Sequence, residues 1–265
     1  MKNKVPSAIF AILFLLTSCT DVFEYSPYQA NVESDRLKQQ SGQLKKLFVN
    51  EHINNKTITF ATISDSHVNY TNLIDAVNYL NSIDTLDFVV HLGDMTHRGL
   101  LKEFEIFNNC TKEIKHPFFT AIGNHDYLSN GEKIYKQMYG DYNYIINYKG
   151  RKLVFYDGTR FESSILPNID WFTSELGKDS LPTIIFSHIP PWGDQYLPDH
   201  TEKFRQAIIT SNIILCMHGH DHSYFYGKKL NSEVDFLVPG ATLIRHLAIV
   251  KIDSTNGYSF KIVKF

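Results

Sequence analysis

The stretch "NIILCMHGHDH", residues 212–222, gives the clearest indication of the fold class in this sequence. Residues 212–217 form an apolar run of strand type, and three histidines and an aspartate follow within the next five positions. In α/β proteins the groups that bind ligands gather where buried strands end. A histidine-rich stretch alone is either a solvated loop or a metal-binding tract, so the rest of the chain must decide between the two.

Four other apolar runs end in the same way. Each is followed directly or after one glycine by Asp, Asn or His, and they read "TITFATIS" (57–64), "LDFVVHL" (86–92), "PFFTAI" (117–122) and "TIIFS" (183–187). Between these runs, apolar residues recur at helical spacing over 71–83 and 100–114 and near Trp171 and Arg205. This alternation predicts an α/β fold whose polar residues converge along one edge of the sheets.

Composition narrows the class of protein. With 265 residues, 43% of them hydrophobic, the chain suits one domain of ordinary size, or at most two small ones, with a filled core. The net charge of −2 gives no electrostatic reason to expect nucleic acid as a partner. No pattern in the sequence predicts an oligomeric state.

The N-terminus reads as a targeting segment rather than as part of the fold. A lysine-containing start precedes the apolar run "AIFAILFLL" (8–16), and the chain continues "TSC" up to Cys19. The motif "LTSC" (16–19) resembles the lipobox of bacterial lipoproteins, in which the cysteine is acylated. We therefore expect a signal peptide over 1–18 and an exported protein that a lipid on Cys19 anchors to a membrane of the bacterial cell envelope. The alternative is an ordinary signal peptide with a chance cysteine.

Residues 19–56 are mostly polar and read as a tether whose later part can pack on the domain, with a short helix after Ser34. The domain itself is expected over 57–265. Cys110 and Cys216 are interpreted as two buried free thiols, because a domain of this size needs no disulfide, although a disulfide between them remains open.

The residues that follow the strands carry metal chemistry. The ligand-type residues are Asp65, His67, Asp94, Asn124, His188, His220 and His222. Such oxygen and nitrogen ligands suit Mn, Fe or Zn, and seven are too many for one ion with an open position. They suit two divalent ions that share a carboxylate. In an extended segment the residues of D-x-H and H-x-H point to the same side, so both could reach one cluster.

As an ordered set, these motifs resemble the calcineurin-like metallophosphoesterase superfamily over roughly residues 58–222. The quoted pieces are "DSH" (65–67), "GD" (93–94), "GNHD" (123–126), His188 and "GHDH" (219–222). The resemblance implies a four-layer αββα sandwich of two mixed β-sheets flanked by helices, with the metal site at the C-terminal strand edge. It also implies a hydrolase that acts on mono- or diesters of phosphoric acid, with a small-molecule phosphate ester as substrate.

Position by position, the resemblance implies two sets of ligands. Asp65, His67, Asp94 and His222 would hold one ion, and Asp94, Asn124, His188 and His220 the other. His125, aligned by Asp126, would protonate the leaving group while a hydroxide shared by the two ions attacks phosphorus. The run "GDMTHRG" (93–99) is similar to bacterial enzymes of the cyclic-nucleotide phosphodiesterase type. Purple acid phosphatases instead have a tyrosine ligand after this motif and lack the histidine found here as His67.

Two alternatives remain open. One is a nuclease of the same fold, which the near-neutral charge and the export signal count against. The other is a lipoprotein that binds metal or phosphate without turnover, for which an intact His125–Asp126 pair has no obvious use. Among the neighbouring residues, His97 and Arg98 either contact phosphate or lie in a solvated loop. Trp192 is either a wall of the substrate site or a packing residue.

Overall fold

The structure is a computed structural model that describes residues 26–49 and 56–265. The predicted signal peptide and Cys19 lie outside these residues. In the described ranges, every helix is too short or too polar to cross a lipid bilayer.

The first sheet has five strands in the order β11-β10-β1-β2-β3. Its parallel part is made by β1 (Ile58–Ile63), β2 (Phe88–His91) and β3 (Phe118–Thr120). The tail of the chain completes the sheet with two antiparallel strands, β10 (His246–Ile252) and β11 (Tyr258–Lys264). All but one residue of β1 is buried, as expected for a strand covered on both faces.

The second sheet has six strands in the order β4-β5-β6-β7-β9-β8. Its four central strands are parallel: β5 (Arg151–Phe155), β6 (Thr183–Ser187), β7 (Ile213–His218) and β9 (Asp235–Pro239). The edges are antiparallel, with β4 (Tyr144–Tyr148) on β5 and β8 (Tyr224–Lys228) on β9. Both sheets are therefore mixed.

Helices cover the outer face of each sheet. The helices are α1 (Gln39–Val49), α2 (Tyr70–Asn81), α3 (Leu101–Thr111), α4 (Asn124–Tyr127), α5 (Gly131–Met138), α6 (Ile169–Gly177) and α7 (Pro198–Thr210). The apolar sides of α2, α3 and α5 share one buried cluster with the first sheet, and those of α6 and α7 share another with the second. Each sheet thus has its own helical layer.

Aromatic side chains fill the space between the sheets. Phe60 and Phe88 of the first sheet stack with their ring centroids 5.0 Å apart. Phe60 also meets Phe186 of the second sheet edge-on at 5.5 Å, and Phe155 stacks on Phe186 at 5.0 Å. Such ring contacts fix the distance between the sheets and add to the apolar area that is buried. The predicted αββα sandwich is confirmed.

The described part of the predicted tether packs on the domain. Leu47 of α1 is buried in the cluster between the sheets. Lys46 Nζ donates to the backbone oxygens of Ile114 and His116, at 3.3 and 3.1 Å, and Arg36 pairs with Glu105 at 2.9 Å. Residues 26–49 are therefore part of the folded unit.

Both described cysteines are free, as the sequence favours. Cys216 on β7 is buried, and its burial raises the pKa of the thiol. Cys110 on α3 is only partly buried, which differs from the expectation of two buried thiols.

Candidate metal centre

The loops after β1, β2, β3, β6 and β7 meet at one end of the sandwich. Backbone and side-chain hydrogen bonds join them: Asp65 N–H donates to Gly93 O at 3.0 Å, and Gly219 N–H donates to His188 O at 3.0 Å. The backbone N–H of His125 donates to Asp94 Oδ1 at 2.9 Å. The five strand ends thus form one site, which draws on both sheets.

The backbone at this site is unusual. Five of the seven ligand-type residues have a positive φ angle, namely Asp65 (50°), His67 (45°), Asp94 (59°), His220 (70°) and His222 (54°). Residues with a Cβ adopt this region rarely, and at a cost of about 1–3 kcal/mol each, so its occurrence in a cluster indicates a functional site. The expectation that D-x-H and H-x-H are extended is wrong. In both motifs the two ligand-type residues have positive φ angles, so the segments that follow β1 and β7 are turned rather than extended.

Asp65, His67 and His222 form the first group of ligand atoms. Asp65 Oδ1 lies 3.2 Å from His222 Nε2. His67 Nε2 lies 3.5 Å from His222 Nε2 and 3.7 Å from Asp94 Oδ2. These atoms are close enough together to surround a single cation.

Asn124, His188 and His220 form the second group. Asn124 Oδ1 lies 3.2 Å from His188 Nε2 and 3.2 Å from His220 Nδ1. His188 Nε2 is also 3.3 Å from Asp94 Oδ2. The three side chains and Asp94 therefore converge as the second ligand set that the resemblance implies.

Asp94 stands between the two groups. Its Oδ1 accepts the backbone N–H of His125, so only Oδ2 is directed at both His67 and His188. Asp94 as a whole residue is 1% exposed. A single carboxylate oxygen is therefore placed where it could be shared by two ions.

The ring orientations leave nitrogens available for cations. His188 Nδ1 lies 2.8 Å from Leu92 O, and His67 Nδ1 lies 3.2 Å from Thr96 O. If both Nδ1 atoms carry the proton and donate it to these carbonyls, both Nε2 atoms face the site with free lone pairs. Although burial lowers the pKa of His188, the carboxylates of Asp94 and Asp65 raise it to about 10. A cation bound there would replace that proton. The donor set fits Mn, Fe or Zn.

His125 lies beside the first group and is partly exposed. Its Nδ1 is 2.8 Å from His97 O, and its ring stacks on that of His97 with centroids 5.3 Å apart. The resemblance implies that Asp126 aligns the His125 ring, but in the structure the His97 carbonyl does so. The buried Asp126 carboxylate instead accepts the N–H and the hydroxyl of Thr96, at 2.9 and 2.8 Å, and the N–H of Gly123, at 3.0 Å. Asp126 therefore holds the loops that carry Asp94 and His125.

The other residues singled out from the sequence have distinct surroundings. His97 and Arg98 are exposed on the loop after Asp94. Trp192 is partly buried, with its ring centroid 5.3 Å from Phe236 and 5.7 Å from His218. Trp192 therefore has packing contacts, and its role toward substrate stays a prediction.

Two polar residues at the site have no counterpart in the sequence-based prediction. Glu162 accepts a hydrogen bond from Asn124 Nδ2 at 3.0 Å, and Gln195 Nε2 donates to the other oxygen of Glu162 at 2.8 Å. Gln195 lies in the loop after His188, three residues beyond Trp192. Glu162 lies in an irregular segment after β5 that carries no signal of its own.

Gly93→Ala should disrupt the site without a change of any ligand. Gly93 has φ 99°, and a Cβ there would lie 2.6–2.7 Å from atoms of the His188 side chain. We expect loss of bound metal together with a destabilisation of at least about 1–2 kcal/mol from the backbone conformation alone. Metal analysis and thermal unfolding of the variant test this. Gly177→Ala is the control, because a Cβ there meets no atom within 4 Å. Normal metal content in Gly93→Ala would contradict the close packing of His188 on this loop.

Comparison with solved structures shows the fold. A dimetal phosphatase of Danio rerio aligns with a TM-score of 0.58 at 12% identity, covering 78% of this chain and 99% of that one. GAP50, the anchor in the inner membrane complex of Plasmodium, aligns with a TM-score of 0.60 at 14% identity, covering 78% and 84%. A purple acid phosphatase of yellow lupin seeds aligns with a TM-score of 0.56 at 13% identity, covering 81% and 55%. At these identities the likeness extends to the fold alone.

The sequence comparisons give the family. A search of curated proteins finds no match. The model of the calcineurin-like phosphoesterases matches residues 58–224, which is more than half of the chain and includes every ligand-type residue of the site. The chain therefore belongs to the calcineurin-like phosphoesterase family, whose members are metal-dependent phosphoester hydrolases.

Proposed function

We propose that this protein hydrolyses a small-molecule mono- or diester of phosphoric acid at a centre of two divalent metal ions. The observation that carries the proposal is the position of Asp94 Oδ2, which lies 3.7 Å from His67 Nε2 in one ligand group and 3.3 Å from His188 Nε2 in the other. A carboxylate shared in this way is the usual arrangement when two ions act on one phosphate.

Each residue at the centre has a part in the reaction. Asp65, His67 and His222 would hold one ion, Asn124, His188 and His220 the other, and Asp94 both. When bound, the pair of ions would supply a hydroxide nucleophile near neutral pH, because two cations lower the pKa of a shared water. His125 would give its proton to the leaving oxygen from Nε2, since its Nδ1 is turned to the His97 carbonyl.

The subgroup is also part of the proposal. His67 is present in the first ligand group, and the loop after Asp94 reads "MTHRG" with no tyrosine. These features favour the bacterial cyclic-nucleotide phosphodiesterase type over the purple acid phosphatase type. The near-neutral charge of the chain disfavours the nuclease alternative.

A substrate panel tests the proposed function. Protein stripped with a chelator and reloaded with Mn, Zn or Fe should release p-nitrophenol from p-nitrophenyl mono- or diesters, and the stripped protein should not. Metal-loaded protein that is folded yet hydrolyses neither class of ester would favour the alternative of a lipoprotein that only binds metal or phosphate.

We also propose that a lipid on Cys19 anchors the protein to the bacterial envelope. In cells, Cys19→Ala should leave the domain folded but release it from the membrane fraction, because the acyl chains supply the attachment. Fractionation followed by immunoblotting measures this. Continued sedimentation of Cys19→Ala with membranes would mean that another part of the chain is the anchor.

A further inference from the structure

The side-chain amide of Asn124 is held by a chain of hydrogen bonds that leads away from the metal centre. Asn124 Nδ2 donates to Glu162 Oε1 at 3.0 Å, and Glu162 Oε2 accepts from Gln195 Nε2 at 2.8 Å. Gln195 is 4% exposed, and its Oε1 accepts the backbone N–H groups of Arg160 and Phe161, both at 3.0 Å. We call Asn124, Glu162 and Gln195 the amide relay.

The amide relay has a fixed direction. The two backbone N–H groups of residues 160 and 161 can only donate, so they hold the oxygen of Gln195 toward them and its NH₂ group toward Glu162. An ionised carboxylate only accepts, so Glu162 takes the NH₂ group of Asn124 and excludes its oxygen. Asn124 Oδ1 is thereby directed at His188 and His220.

This direction matters because the two ends of an asparagine amide have nearly the same shape but opposite polarity. Only the oxygen can coordinate a cation, and a flipped amide would present two N–H groups to it. Asp65, His188 and Asp94 are held by their own backbone or side-chain partners. Asn124 depends on Glu162 for this selection.

We infer that Glu162 is a positioning residue for one of the two ions, the one that Asn124 would bind together with Asp94, His188 and His220. This inference rests on the proposed two-metal function and adds a residue to it. In the part of the chain that the structure describes, Glu162 forms no hydrogen bond with Asp65, His67 or His222. Its effect should therefore be confined to one ion.

Isothermal titration calorimetry of chelator-stripped protein with Mn²⁺ tests the inference. In Glu162→Ala the affinity for one ion should fall by about 10–100-fold, the usual effect of losing a partner of a metal ligand, while the other ion binds as in the wild type. The affinity of Glu162→Gln for that ion should lie between the affinities of the wild type and of Glu162→Ala. Its amide oxygen can still accept from Asn124, but its NH₂ group then opposes that of Gln195.

Glu132→Gln is the matched control. Glu132 accepts a hydrogen bond from Ser164 Oγ at 2.9 Å, so it supports the same segment as Glu162 without touching Asn124. Both ions should bind Glu132→Gln with wild-type affinity. A loss as large as that of Glu162→Ala would mean that any change to this segment disturbs the site, and would overturn the specific role of Glu162.

A reciprocal exchange separates positioning from a general structural role. In Asn124→Asp combined with Glu162→Gln, the new amide can donate to the new carboxylate and still accept from Gln195, so every partner in the relay is satisfied. We expect this double variant to bind the affected ion more tightly than Glu162→Gln does. A residue needed only for folding would not be rescued by a change at position 124.

The possible outcomes separate a failure of the amide relay from a failure of the proposed two-metal function. Folded Glu162→Ala that binds both ions with wild-type affinity, or that loses both ions alike, overturns the relay and leaves the two-metal function standing. If Glu162→Ala does not fold, Glu162→Gln and the exchange variant decide by the same criteria. A wild-type protein that never binds a second ion overturns the proposed function and the relay with it.

Discussion

Asp94→Asn is expected to remove both metal ions and to reduce phosphoester hydrolysis by at least about 10³-fold, the upper range for loss of a single electrostatic group in an active site. The reason lies in the two oxygens of Asp94. Oδ1 accepts the backbone N–H of His125 at 2.9 Å, and Oδ2 is directed at both ligand groups. An asparagine must turn its NH₂ group either to that N–H or to the ions, and both are unfavourable.

Elemental analysis and activity measurements on the purified variant test this prediction. Asp157→Asn is the control, because Asp157 is also a buried carboxylate but accepts its hydrogen bonds from Tyr127 and Thr159 rather than facing the site. It should keep both ions. An Asp94→Asn protein that still holds one ion at wild-type affinity would show that the carboxylate belongs to one ligand set only.

His125→Asn should keep both ions, because every ligand survives, yet lose about 10²–10⁴-fold in turnover on alkyl esters, the usual contribution of general acid catalysis. Alkoxide is a poor leaving group and needs the proton, whereas p-nitrophenolate leaves as a stable anion. The defect should therefore shrink on p-nitrophenyl esters when the chemical step limits the rate. The structure supports the role, since the His97 carbonyl orients the ring through Nδ1 and leaves Nε2 free.

Steady-state kinetics on both classes of ester, with metal analysis of the same sample, measure this effect. His200→Asn, a change on α7 outside the site, should behave as the wild type. Equal losses on both classes would make His125 a binding residue. Loss of metal would make it a ligand, and the assignment of the two sets would have to be redrawn.

Local sequence patterns predicted an α/β fold and the location of the site, and the resemblance to the calcineurin-like family added the two-sheet sandwich. The runs that became β1, β2, β3, β6 and β7 are apolar and end in ligand-type residues, and parallel strands place such ends together. The tail of the chain supplies β8 to β11. The strand bounds differ from the five apolar runs by at most two residues, and β7 extends one residue past its run, to His218.

Three features of the site could not be predicted from local patterns. The alternation in D-x-H is compatible with either an extended segment or a turn, so the positive φ angles of Asp65 and His67 carry no sequence signal. The partner of the His125 ring is a backbone carbonyl, which every residue has. Glu162 reaches Asn124 only because the segment after β5 folds over the end of the sandwich, and nothing in its composition specifies that path.

Titration of the stripped protein with Mn²⁺, with bound metal and phosphoester hydrolysis followed in the same sample, tests whether two ions act together in the reaction. We expect binding to saturate at two ions per chain and hydrolysis to reach its full rate only as the second ion binds. Saturation at one ion, or hydrolysis that persists after the metal has been removed, would contradict it.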